Sequence, residues 1–129
     1  MQYPSYSFIA PEARLQAPKG WCRLAVDLLH ELQSLSESGL LKEQFKLHEI
    51  SERYGELYVC CSGESPAIHR LVAAYAVQAS TTCEDCGYVF ASLHVNGNGW
   101  KRTLCPGCAN FRYKPVVLDK NAPLARLVP

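Results

Sequence analysis

Four cysteines in the C-terminal half form two pairs with the same internal spacing. Cys83 and Cys86 make one Cys-x2-Cys pair, Cys105 and Cys108 make the other, and eighteen residues separate the pairs. Two thiolates at this spacing can face one ion while the backbone turns beneath them, and a hairpin of this length returns the second pair to the first. Four thiolates in a tetrahedron suit zinc or iron and not calcium or magnesium. The spacing predicts one four-thiolate metal site, with structural zinc favoured over iron.

Two other chemistries could use the same residues. Cys105-Pro106-Gly107-Cys108 alone resembles a dithiol redox motif, but the second pair at zinc-ribbon spacing argues against that interpretation. Both pairs also resemble the knuckles of rubredoxin, a much smaller iron protein with a longer insert, so electron transfer is a minor alternative. Four thiolates leave no coordination position for water, so the sequence predicts no catalytic residues and no enzyme.

Basic and aromatic residues alternate on and after the second cysteine pair's hairpin, and such a surface could stack bases and contact phosphates. These residues are Trp100, Lys101, Arg102, Phe111, Arg112, Tyr113 and Lys114. Residues 81–129 carry six Lys/Arg against three Asp/Glu, whereas residues 1–80 carry seven against nine. The net charge of the whole chain is only +1, which excludes a general polyanion binder. Nucleic-acid binding therefore stays an alternative.

The composition predicts a folded protein with one modest core. The chain has 129 residues, of which 48% are hydrophobic and 19% charged. Its start lacks a basic segment followed by an apolar one, and no apolar run is long enough to cross a bilayer. We therefore expect the protein to reside in a reducing cytoplasm, where its seven cysteines are metal ligands and buried thiols and do not form disulfides.

Hydrophobic periodicity predicts an α+β fold in the order helix, β-hairpin, helix, then a C-terminal zinc ribbon. An extended arm at 1–19 precedes an α-β-β-α domain at 20–82, the ribbon spans 83–109, and a surface tail spans 110–129. The first helix begins at Trp21 and ends before Gly39, Gly55 supplies the hairpin turn, and the second helix begins at Pro66. We expect both helices to cover one face of the hairpin, with the ribbon beside the second helix.

The ribbon itself is predicted to contain two strands. Residues 88–95 and 100–104 are joined by Asn96-Gly97-Asn98-Gly99, a tight-turn sequence in which Asn and Gly accept positive φ at low cost. Gly87 and Gly107 follow or lie within the cysteine pairs, where a knuckle needs a small residue or a positive φ.

Several segments together resemble a family of small proteins encoded by bacteriophages and prophages. They are Gly20-Trp21 before a leucine-rich helix, the hairpin at 50–58, Ala79 to Gly87 at the first knuckle, and Gly99 to Cys105 at the second. The resemblance covers residues 20–109. It departs at Leu57-Tyr58, where the family has a Leu-Arg-Phe-Tyr run.

The resemblance implies a phage or prophage origin and a shared architecture, but no mechanism. Together with the absence of catalytic motifs, it leads us to expect a non-catalytic protein in the cytoplasm of a bacterial host. We expect it to bind and modulate a host or phage protein, for example by inhibiting a defence or transcription component. A nucleic-acid-binding ribbon is the alternative, and a rubredoxin-like carrier the minor one.

Overall fold

The computed structural model describes residues 2–117 and has mixed helices and strands, which confirms the α+β class. In chain order the elements are β1 (Ile9–Leu15), a 3-10 turn (Lys19–Trp21), α1 (Cys22–Glu37), β2 (Lys46–Arg53), β3 (Glu56–Ser62), α2 (Pro66–Ala79), β4 (Ser92–Asn96), β5 (Lys101–Leu104), α3 (Pro106–Ala109) and β6 (Tyr113–Pro115). The strands form two three-stranded sheets, β1-β2-β3 and β5-β4-β6. The order therefore begins with a strand, where a helix was expected.

That first strand lies in the segment expected to be an extended arm. β1 pairs with β2 in parallel, with Ile9 opposite Leu47 and Leu15 opposite Ile50. Pro11 lies inside β1, which is an edge strand, and edge strands tolerate proline because one side of each strand has no ladder partner. The prolines concealed this strand in the sequence, since they reduce its resemblance to a regular β segment.

The main core lies between the first sheet and the two long helices. Leu28, Leu29 and Leu32 on α1 are fully buried and form one cluster with Leu47 and Ile50 of β2. Their three- and four-residue spacing places them on one helix face, and burying each such side chain contributes about 1.5–3 kcal/mol relative to leaving it exposed. This packing makes the first sheet and its helices the platform that carries the cysteine pairs.

The predicted helix ends are mostly confirmed. Gly39 follows α1 with φ +72°, as expected of a left-handed cap, and Pro66 is the first residue of α2. Ser65 precedes α2, but its side chain makes no capping hydrogen bond. Between Gly39 and α2 the hairpin turns at Tyr54 and Gly55, both with positive φ, as in the tight turns favoured between antiparallel strands. Within residues 2–117, no helix is both long enough and apolar enough to cross a bilayer.

The second sheet corrects the predicted tail and the predicted ribbon strands. β6 pairs antiparallel with β4, so residues 113–115 belong to the sheet and not to a surface tail; residues 118–129 lie outside the described part of the chain. β4 begins at Ser92 and not at residue 88, so residues 88–90 are a loop. The sequence missed β6 because three residues give no recognisable alternation.

The second sheet is joined to the turn of the first hairpin and to the start of α1. Of the expected position beside α2, the backbone bonds show a contact at the end of that helix, where the Ala91 N–H donates to the Thr81 carbonyl. The Thr103 hydroxyl donates to the Gly55 carbonyl at 2.7 Å. The indole Nε1 of Trp21 donates to the Thr82 carbonyl, also at 2.7 Å. These bonds hold the cysteine pairs against the platform.

Candidate metal centre

All four predicted ligands converge on one point of the second sheet. The Sγ atoms of Cys83, Cys86, Cys105 and Cys108 all lie within 4.8 Å of one another. Cys83 and Cys105 are buried, Cys108 is half-buried and Cys86 is exposed. The sequence spacing therefore identified the whole cluster correctly.

The separation of the sulfurs can be compared with that of a metal-bound tetrahedron. Zinc–sulfur bonds of about 2.3 Å in a regular tetrahedron place neighbouring sulfurs about 3.8 Å apart. Cys86 Sγ and Cys105 Sγ, which come from different pairs, are 3.7 Å apart. The donor set thus fits one tetrahedral ion with all four positions filled by thiolate, and no position is left for water.

The first knuckle is a tight turn built around Gly87. The Cys83 N–H donates to the Tyr88 carbonyl at 2.8 Å, and the Gly87 N–H donates to the Cys83 carbonyl at 2.9 Å. Gly87 has φ +83°, a conformation that side-chain-bearing residues adopt at a cost, so the predicted need for glycine is confirmed there.

The second knuckle uses a different residue for its left-handed position. Cys105 precedes the one-turn helix α3, and its Sγ accepts the Cys108 N–H at 3.4 Å. Gly107 lies inside α3 and has no positive φ, so only the other expected reason for a glycine, its small size, can apply there, whereas Asn110 ends the helix with φ +45°. Asn is one of the few non-glycine residues that tolerate this region, so the turn was recognisable only from Asn110.

The electrostatic surroundings differ from thiol to thiol. Burial acts to raise the pKa of Cys83, but backbone N–H groups directed at its sulfur outweigh burial and lower the pKa to about 7. The pKa of Cys108 is raised, mainly by its hydrogen bond with the Cys105 thiol. Metal ligation requires all four thiols to lose their protons, so an ion and protons compete for this cluster.

Gly20 and Trp21 fasten the first knuckle to the start of α1. The Gly20 N–H donates to the Glu84 carbonyl at 2.7 Å. A Cβ on Gly20 would lie 2.0 Å from the Cys83 carbonyl oxygen, which no real contact allows. Trp21 is completely buried and bonds to Thr82, directly before Cys83. These two residues therefore connect the helical core to the cysteine cluster.

Glu84 is a structural residue that sequence reasoning missed. Its carboxylate is 2% exposed and accepts the Thr103 N–H at 2.6 Å and Arg102 Nε at 3.4 Å. Burial raises its pKa to about 7, although the Thr103 N–H and Arg102 act in the opposite direction. The signal was an acidic residue inside one knuckle and an arginine just before the other.

The structure separates the candidate nucleic-acid contacts. The register places Lys101 and Lys114 beside Val95 on one face of the second sheet, and Arg102 and Tyr113 on the opposite face. Arg102 is engaged by acidic groups, with Nη2 2.5 Å from Asp85 Oδ1 and Nε near Glu84. It is therefore not available as a phosphate contact without breaking these ion pairs.

The remaining candidates are exposed or half-buried. Trp100 is 59% exposed and stacks on Tyr54, with ring centroids 6.1 Å apart. Phe111 is 98% exposed, and Arg112 and Lys114 are exposed beside it. These groups lie at two places, the hairpin turns and the β6 segment.

The chain matches no protein-family model, no curated protein and no solved structure.

Proposed function

We propose that this chain is a zinc-ribbon protein of phage or prophage type that binds and modulates a host or phage protein in the bacterial cytoplasm. The origin and the compartment rest on the sequence resemblance and composition. The binding role rests on one structural observation, which is that most of the exposed large apolar side chains among residues 2–117 belong to the part of the chain that carries the cysteine cluster.

Zinc is the ion that we assign to the cluster. A closed four-thiolate set is typical of structural zinc sites, whose binding free energy contributes directly to folding. The second sheet has a small core, with Leu104 and Ala91 as its main apolar members beside the cysteines. We call the second sheet, together with the two cysteine pairs, the cysteine module. A module of this size needs a metal ion to supply the stability that its small core does not provide.

The surface around the cluster supports a binding role. Six of the nine exposed large apolar side chains in the described residues follow Cys83, and a seventh, Tyr54, stacks on one of them. The six are Tyr88, Val89, Phe90, Trp100, Phe111 and Val117. Single exposed apolar residues are ordinary, but their concentration on one small module is typical of an interaction surface.

Two aromatic pairs give this surface fixed anchors. Tyr88 and Phe90 meet edge to face, with centroids 5.7 Å apart, and Trp100 stacks on Tyr54. The loop that carries Tyr88 is held by its carbonyl bond to Cys83, and the Ala91 N–H donates to Thr81. Trp and Tyr side chains on a rigid support are enriched among residues that dominate binding energy.

Native affinity purification from a bacterial host tests the binding role. Phe90→Ala and Trp100→Ala remove one anchor from each aromatic pair, and Val77→Ala and Leu40→Ala are matched controls because both residues are exposed apolar groups outside the module. We expect a protein that co-purifies with the wild type and the control variants and is lost from the anchor variants. Enrichment of no protein, or equal recovery with all variants, would contradict the proposal.

Nucleic-acid binding stays the second candidate because of the β6 segment. Phe111, Arg112 and Lys114 are exposed together there, and such a group can stack a base and contact phosphates. Arg112→Glu and Lys114→Glu would then abolish binding to single-stranded DNA, and Arg70→Glu, an exposed site on α2, would not. Binding that weakens steeply with salt would favour this function over the first.

The third candidate, a rubredoxin-like electron carrier, requires iron instead of zinc in the four-thiolate site. Iron in four thiolates absorbs visible light, whereas zinc does not. Metal content and the visible spectrum of protein purified without added metal separate them; a coloured, iron-containing protein would overturn the zinc assignment.

A further inference from the structure

Three polar side chains meet on the first sheet, away from the cysteine cluster, one from each strand. His48 Nε2 lies 2.8 Å from Ser62 Oγ, and His48 Nδ1 lies 3.5 Å from Glu12 Oε1. His48 is half-buried, and Glu12 and Ser62 are exposed. The histidine therefore stands between a hydroxyl and a carboxylate, with a different ring nitrogen directed at each.

The strand register explains why they meet. Leu47 pairs with Cys61 and Glu49 pairs with Cys60, so His48 is the extra residue of a β-bulge. The β1 register is also irregular between Ile9 and Arg14, the interval that contains Glu12. Both register irregularities therefore lie where the three side chains come together. Bulges change the direction of a side chain and are frequent next to active sites.

From this arrangement we propose that Ser62, His48 and Glu12 form a nucleophile, a general base and a positioning carboxylate that transfer acyl groups from small carboxylic esters. A carboxylate at Nδ1 favours the tautomer in which Nδ1 carries the proton and Nε2 accepts one from the serine. The 3.5 Å contact is long, as contacts of this kind often are before substrate binds. The earlier expectation of no enzyme rested on the closed cysteine site, and this cluster lies on the other sheet.

The residues after Ser62 provide donors for a developing oxyanion. Ser62 ends β3, and Gly63 and Glu64 lead into α2. Gly63 has φ +70°, and a Cβ there would lie 2.7 Å from the Gln44 carbonyl oxygen, so the turn after Ser62 is held against the backbone of residues 44–45. The N–H that follows a nucleophile is a common oxyanion donor at a strand–turn–helix junction. Because Glu12 and Ser62 are exposed, little surface is available to hold a large acyl or alcohol group, so we expect small esters as substrates.

Ester hydrolysis at this site requires only these side chains and water. Ser62 Oγ attacks the ester carbonyl carbon, and its proton passes to His48 Nε2. The C–O bond to the alcohol breaks, and the proton on Nε2 goes to the departing alkoxide. A water molecule then attacks the acyl carbon and gives a proton to His48 Nε2; the bond from that carbon to Ser62 Oγ breaks, Oγ takes the proton back from Nε2, and the carboxylic acid is released.

A fluorophosphonate probe tests the nucleophile directly, because an activated serine forms an O–P bond as fluoride leaves. The metal-loaded full-length chain should gain one adduct, located on Ser62 by peptide mass spectrometry. Ser62→Ala should lose it, and His48→Gln should slow it by about 100-fold or more, the usual contribution of a general base. Ser51→Ala and His69→Gln are matched controls that should leave labelling unchanged. The Ser51 hydroxyl donates to the Glu49 carboxylate and not to a histidine, and His69 contacts the Glu64 carboxylate.

The positioning role of Glu12 has its own readout. With 4-nitrophenyl acetate as substrate, Glu12→Gln should lower kcat by a smaller factor than His48→Gln and leave KM unchanged. No adduct, an adduct on another residue, or equal labelling of wild type and His48→Gln would overturn the proposal. These results do not bear on the proposed protein binding, because Phe90 and Trp100 follow Cys83 in the chain whereas Glu12, His48 and Ser62 lie on the first sheet.

Discussion

Replacing Thr103 by valine should separate the cysteine module from the hairpin without changing the shape of the core. Thr103 is 1% exposed, and its hydroxyl donates to the Gly55 carbonyl at 2.7 Å. Valine keeps the volume but has no donor, so the carbonyl loses its partner in a buried position.

The magnitude follows from the cost of an unpaired buried polar group. Such a group costs about 1–3 kcal/mol, because its hydrogen bond to water in the unfolded chain is not replaced. With a urea dependence of about 2 kcal/mol per molar, the unfolding midpoint should fall by roughly 0.5–1.5 M.

Urea unfolding of the metal-loaded protein, followed by tryptophan fluorescence, measures this shift. Trp100 stacks on Tyr54, the neighbour of Gly55, and Trp21 is fully buried at the start of α1, so the emission of the two tryptophans follows unfolding at both places where the sheets are joined. Thr81→Val is the matched control, because the Thr81 hydroxyl is exposed and makes a long bond of 3.3 Å to Gln78. That control should change the free energy of unfolding by less than about 0.5 kcal/mol.

Equal unfolding midpoints for Thr103→Val and Thr81→Val would contradict this prediction. If Thr103→Val unfolds at the same urea concentration as Thr81→Val, the hydroxyl does not join the module to the hairpin. The two sheets would then be joined through the Trp21 region and the Tyr54–Trp100 stack instead.

Three further predictions use the same structure. Gly20→Ala should destabilise the protein by several kcal/mol and weaken zinc binding, because its Cβ would overlap the Cys83 carbonyl; thermal unfolding checks this, and Gly97→Ala, with open space around it, should be nearly neutral. Glu84→Ala should cost about 1–3 kcal/mol or more in urea unfolding, because it leaves a buried backbone N–H and an arginine without their acceptor; an unchanged midpoint would refute the role of the carboxylate. Burial raises the pKa of Cys61 to about 12, so at pH 8 iodoacetamide should modify it about 1,000-fold more slowly in the folded than in the unfolded chain, as measured by peptide mass spectrometry; equal rates would contradict that shift.

The cysteine cluster was predictable because its signal is local and discrete. Two Cys-x2-Cys pairs at hairpin spacing need only a turn between them to meet, and the structure brings all four sulfurs together. The helices were predictable for a similar reason, since the leucine spacing of α1 has the period of a helix face.

Features that depend on tertiary pairing were not predictable. β1 contains Pro11 and becomes a strand only because β2 lies beside it, and β6 has three residues and exists only through β4. Propensity cannot report a partner that is distant in the sequence.

Surface roles were the least predictable. The sequence placed Arg102 in a basic, aromatic patch, but the fold pairs it with Glu84 and Asp85, about eighteen residues earlier. Glu12, His48 and Ser62 are equally scattered, and a bulge brings them together. A one-residue shift of register moves a side chain to the other face of a sheet, so such groupings require the structure.

We propose that the four thiolates hold one zinc ion in a closed site. X-ray absorption at the zinc edge, on protein purified without added metal and with its zinc content determined, tests it most directly. We expect one zinc per chain with four sulfur neighbours at about 2.3 Å and no nitrogen or oxygen neighbour. Substoichiometric zinc, or a light-atom ligand in the first coordination sphere, would contradict it.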